Sequence, residues 1–86
     1  MIILINTKFF TRMYEVLLVD ETKQETIKKY SLKVEEIPIR IPEICNNDKV
    51  TKIIFTGNKK YSQKIGDMIK QNGISKYNLN IEIDYM

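Results

Sequence analysis

Val50-Thr51-Lys52-Ile53-Ile54-Phe55-Thr56-Gly57-Asn58 is the stretch on which the reading of the fold turns. Its apolar run reads as a strand that enters a Gly-Asn turn and passes directly into an amphipathic helix beginning near Lys59. Tyr61, Ile65, Met68 and Ile69 stand at i, i+4, i+7 and i+8 and make one helical face. Lys59, Lys60, Gln63, Lys64, Asp67, Lys70 and Gln71 occupy the others. Asn58 reads as the N-cap, and Gly73 as the residue that ends the helix in the left-handed conformation.

Upstream, Met1 to Ile5 is apolar at every position and reads as a short buried strand, with Tyr14 to Asp20 as a second. Apolar side chains on both faces imply central strands with other elements packed on each side. The polar segment Asp20 to Gln24 predicts a hairpin turn into a third strand, Thr26 to Val34. There Tyr30, Leu32 and Val34 alternate with Lys29, Ser31 and Lys33, so one face is buried and the other is wet. Between Glu35 and Asp48, Pro38 and Pro42 argue against a long regular helix. They predict an irregular run into a brief helix over about Pro42 to Asn46, with Pro42 in its first turn. Downstream, Leu79, Ile81, Ile83 and Tyr85 alternate with Asn80, Glu82 and Asp84 in a last, edge strand. The element order is β-β-β-α-β-α-β: an α+β chain with a single mixed five-stranded sheet, in one domain over residues 1–86.

Composition narrows the chemistry. With no histidine and Cys45 alone, the sequence supplies no disulfide scaffold, no Cys/His zinc site and no serine–histidine triad. Cys45 sits between Ile44 and Asn46 with no neighbouring base to activate it, and reads as a buried thiol. Fourteen basic and eleven acidic residues give a net charge of +3, which permits an anionic partner without requiring one. The apolar runs Ile2 to Ile5 and Val16 to Val19 are far shorter than the ~20 residues of a membrane span. No leader pattern opens the sequence, so no membrane association and a cytoplasmic location are expected.

The element order resembles the core of the ribonuclease H-like and actin-like ATPase superfamilies, over almost the whole chain. The resemblance implies that the first three strands are antiparallel neighbours and that the fourth and fifth add in parallel on the other side of the first. Strand order is then 3-2-1-4-5. Ile53 to Asn58 is also similar to the strand–glycine turn of actin-like proteins, whose glycines approach a bound nucleotide. Those enzymes carry an acidic residue on the first strand, where this chain has Ile5-Asn6-Thr7, and two glycines at the turn, where this chain has Gly57 alone. What the resemblance implies here is the frame of the superfamily without its nuclease or ATPase residues.

Three groups of side chains are candidate contacts. Gly57 and Asn58, leading into Lys59 and Lys60, form a strand–helix turn of the kind that binds phosphate through backbone N–H groups; the alternative is a tight turn, a cap and solvated lysines. Lys28, Lys29 and Lys33 on the third strand, with Lys59, Lys60 and Lys64 on the helix, would serve a nucleic-acid partner, or else protect a sheet edge. Phe9, Phe10 and Met13 form an apolar group in the first connection that would anchor a protein partner, or fold back at a strand end. Glu82 and Asp84 share a strand face but bring no third ligand for a cation, and Glu35, Glu36 and Glu43 have no visible acid partner. No catalytic residue, metal or cofactor is expected. The expectation is a small non-enzymatic domain that binds another macromolecule, foremost a protein and in the simplest version a second copy through a sheet edge. Its size suits the inhibitors and adaptors of phages and mobile elements. Nucleic-acid binding and a degenerate nucleotide-binding lobe are the alternatives.

Overall fold

The computed structural model describes residues 1–8, 12–71 and 80–86. Five strands and two helices follow the expected order: β1 (Ile2–Thr7), β2 (Met13–Asp20), β3 (Glu25–Lys33), α1 (Ile37–Asn47), β4 (Lys52–Gly57), α2 (Lys59–Ile69) and β5 (Glu82–Tyr85). The sheet is mixed, in the order β3-β2-β1-β4-β5, as a ribonuclease H-like frame implies. β1 is antiparallel to β2 and β2 to β3, whereas β4 lies parallel to β1 and β5 parallel to β4. The β2–β3 hairpin turns at residues 21–24, where the Asp20 carboxylate accepts the N–H groups of Thr22 and Lys23. Gln24 closes that turn at a φ of 55°.

The handedness of the crossovers decides where the helices go. Two antiparallel steps make β3 parallel to β1, and therefore to β4 and β5. The connections β3–α1–β4 and β4–α2–β5 both join parallel strands and both advance across the sheet in the same direction. Right-handed crossovers then place both helices on the same face. Burial follows: Ile3, Ile5, Tyr14, Val16, Leu18, Leu32, Ile53 and Phe55 are buried beneath Ile37, Ile41, Ile44 and Cys45 of α1 and Ile65 and Ile69 of α2, in one core.

Three expectations are corrected. The central strands are not covered on each side: their other face carries Ile2, Leu4, Leu17, Val19 and Ile54, all only half-buried, and among the described residues no helix packs there. Second, the segment with two prolines is a 3-10 turn at Val34–Glu36 followed by an eleven-residue helix. Pro38 lies in the first turn of that helix, where a missing N–H costs nothing, but Pro42 lies inside it. An interior proline forfeits one ladder bond at ~3 kcal/mol or more. Here the loss is offset because Ile37, Pro38, Ile41, Pro42, Ile44 and Cys45 are all buried, the spacing of four keeping both prolines on the core side. Val34, expected to extend the third strand, instead opens the 3-10 turn and donates its N–H to Arg12 O at 3.2 Å. Third, β5 begins at Glu82 because its partner β4 begins at Lys52, and the Glu82 N–H closes the ladder onto Thr51 O. Leu79 and the expected helix stop at Gly73 lie outside the described residues.

Candidate functional site

The strand–turn–helix unit at β4 and α2 is held by hydrogen bonds of its own. Gly57 has a φ of 94°, and a side chain there would overlap the Thr7 carbonyl oxygen at the end of β1. Asn58 donates its N–H to that carbonyl at 2.9 Å, and its side-chain oxygen accepts the Tyr61 N–H at 3.0 Å as the helix cap. Ser62 N–H donates to Asn58 O at 2.9 Å. Three amides around the turn thus already have intramolecular acceptors, so the unit is first of all a fastening between β1, β4 and α2. Lys59 and Lys60 are exposed beside it.

Thr7 completes the fastening. It is fully buried, its hydroxyl lies 2.6 Å from Ser62 Oγ, and the carbonyls of Thr56 and Asn58 each lie 3.0 Å away. A hydroxyl has one proton, so Ser62 donates to Thr7 while Thr7 shares its proton between the two carbonyls. The helix-side position at the end of β1 therefore carries a saturated threonine and no carboxylate.

Beside this unit runs a cleft of ≈ 170 Å³ whose walls include Lys8, Tyr14, Val34, Tyr61 and Lys64. The fold brings Lys8, at the end of β1, to the same cleft as Lys64, a juxtaposition that sequence spacing did not suggest. Burial, and then the nearby Tyr61, push the Tyr14 phenol upward, so it stays protonated at neutral pH. Lys8, Tyr14, Tyr61 and Lys64 supply hydrogen-bond donors and positive charge, and Val34 an apolar wall. A second hollow lies where β2 begins and β3 ends, bordered by Arg12, Met13, Lys33, Val34 and Glu35.

The lysines of β3 divide between the two sides of the sheet. Lys28 pairs across from Leu18 on the helix side and places its ammonium 5.5 Å from the Tyr30 ring. Lys29 and Lys33 pair across from Leu17 and Met13 on the open side. Met13 is 41% exposed, while Phe9 and Phe10 lie outside the described residues. Three of the five acidic candidates are taken up locally: Glu36 accepts the Lys33 N–H at 3.1 Å, Glu43 pairs with Arg40 at 3.7 Å, and Asp84 pairs with Lys52 at 2.9 Å. Cys45 is buried, and desolvation, with the nearby Asp48 charge second, pushes its thiol up to about 12. It is a core residue.

The open face of the sheet is the feature that residue-by-residue reading missed. Registers place Lys29, Leu17, Leu4, Ile54 and Asp84 in a single row across all five strands. Ile2 and Val19 pair next to it, and Ile27 on β3 is 48% exposed. A shallow depression of ≈ 200 Å³ lies over Leu4, Asn6, Glu15, Leu17 and Thr56. The signal that would have found this face was the strand order taken together with crossover handedness. No helix among the described residues is long and apolar enough to cross a membrane. No protein-family model matches the sequence, and a search of curated proteins returns no match.

Proposed function

We propose that this chain is a small, non-enzymatic, cytoplasmic domain that works by binding another protein through the open face of its sheet. The observation that supports this reading is the aliphatic patch of Ile2, Leu4, Leu17, Val19 and Ile54, half-buried and continuous across three adjacent strands with no helix over it among the described residues. Five aliphatic side chains left partly in water cost stability that a partner recovers by burying them, at about 25 cal/mol per Å² of apolar surface. The polar groups near the β1 and β4 ends support the non-enzymatic part of the reading. Thr7 occupies the strand end with its hydroxyl consumed by structure, and Cys45 is a buried thiol. On this reading the chain keeps a ribonuclease H-like frame and uses its sheet as a contact surface.

The test compares wild-type protein with Leu17→Lys, a change at a half-buried position of β2. Both are immobilised and offered a cell extract to which soluble wild-type chain has been added, and the retained complex is examined by hydrogen exchange. The expected result is a protein held by the wild type and lost by the variant at unchanged melting temperature, with added protection on β1, β2 and β4. Identical retention by both, with no added protection on those strands, overturns the reading.

A further inference from the structure

We propose that the partner accommodated by the open face is a second copy of this chain, packed face to face about a two-fold axis that runs along the strands through Leu4. The inference rests on the reading of that face as a contact surface and names its occupant. It is carried by the order of charges in the central row, which reads Lys29, Leu17, Leu4, Ile54, Asp84 from one edge of the sheet to the other. The row is basic at the β3 edge, aliphatic through the middle and acidic at the β5 edge, with Leu4 on the central strand of five.

A two-fold axis parallel to the strands lays β3 of one copy over β5 of the other. Lys29 then faces Asp84, Leu17 faces Ile54, and Leu4 meets its own equivalent on the axis. Every element of the row finds a complement from the same row, which is the requirement for an isologous interface. An axis perpendicular to the strands would instead set Lys29 over Lys29 and Asp84 over Asp84, stacking like charges at both edges. The charge order therefore selects one arrangement of the two. Sheets packed face to face cross at ~30° with ~10 Å between them. That rotation moves the ends of the row by roughly 5 Å, within reach of a lysine directed at either Asp84 or its neighbour Glu82. The Lys52 ammonium beside Asp84 becomes part of the same charged rim.

The area fits a weak dimer. Five strands about 4.8 Å apart and about 20 Å long give roughly 500 Å² per copy and ~1,000 Å² in total, at the lower bound for a specific interface. Association is expected to be weak, and to weaken further as salt screens the rim.

Sedimentation of the full chain from about 1 μM to 1 mM tests the proposal. The wild type is expected to pass from monomer to dimer within that range. Lys29→Glu and Asp84→Lys are each expected to weaken association about tenfold, because each places like charges at both ends of the row. An equimolar mixture of these two variants restores opposite charges at both ends and is expected to associate near the wild-type affinity. Circular dichroism and melting temperature confirm that each variant is folded, and neither position belongs to the core. A wild type that stays monomeric to 1 mM overturns the proposal, as does a dimer indifferent to both variants. A monomer whose capture of a different protein is still lost on Leu17→Lys overturns the self-partner and leaves the binding reading standing. A monomer whose retention is also unchanged by Leu17→Lys ends both.

Discussion

The two faces of the sheet are built from the same kinds of residue and have opposite fates. On the helix side, Ile3, Ile5, Val16, Ile53 and Phe55 are removed from water, and Phe55 stacks on Tyr85 with ring centroids 5.5 Å apart and planes within 12°. On the open side, Ile2, Leu4, Leu17, Val19 and Ile54 alternate with them along the same strands and remain half-buried. Side-chain chemistry does not distinguish the two sets. What distinguishes them is that both crossovers advance the same way across the sheet, so their common handedness gathers the helices on one side. The contrast shows that an aliphatic residue in a central strand marks the interior only after the connections have been placed.

The sharpest way to break this comparison is to truncate neighbours on opposite faces of β4. Ile53→Ala opens a cavity in the core and is expected to cost about 2–5 kcal/mol in urea unfolding. The Thr7–Ser62 fastening comes next. Thr7→Val keeps the shape but removes the hydroxyl between Ser62 Oγ and two carbonyls, with an expected loss of about 1–3 kcal/mol in the same measurement.

Alkaline titration probes the covered side by another route. The folded chain holds the Cys45 proton up to about 12, against 9.0 for the unperturbed thiol, so this contribution is intact below pH 9 and is lost as pH rises through the folded value. Tyr14 and Tyr85, raised chiefly by burial, and Lys52, raised chiefly by its hydrogen bond to Asp84, shift the same way and steepen the decline at higher pH. By about pH 10 the Cys45 contribution alone should have cost on the order of 1 kcal/mol, a loss that Cys45→Ala abolishes when unfolding free energy is followed against pH.

The smallest effect belongs to the open side. Ile54→Ala, measured at low protein concentration so that self-association does not contribute, should cost no more than about 1 kcal/mol. A loss equal to that of Ile53→Ala would mean that the open face is covered, and the comparison would collapse.

Much of the frame was legible in the sequence because its signals are local. The polar turn after Asp20 and the 3.6-residue repeat from Tyr61 to Ile69 depend only on neighbours, and each appears where it was expected, whereas the alternation in β3 holds only at Tyr30 and Leu32 because Val34 leaves the strand. The Asn58 cap is of the same kind. Gly66 was not legible. Its missing side chain makes room for the Tyr85 hydroxyl, a contact between helix and edge strand nineteen positions apart that no local pattern announces. The cleft shared by Lys8 and Lys64 is likewise a product of tertiary packing. So is the engagement of Asp84 by Lys52 across β4 and β5.

By itself, then, the sequence determined the order of the elements, the hairpin, the capped strand–helix turn and the absence of histidine, because composition and short-range periodicity carry those. Tertiary structure alone decided that α1 runs through both prolines, because burial of six residues on one helix face outweighs one forfeited backbone bond. It also decided which face of the sheet meets helices and which meets solvent. That choice is set by the handedness of two crossovers acting on strands whose aliphatic residues would serve either side equally well.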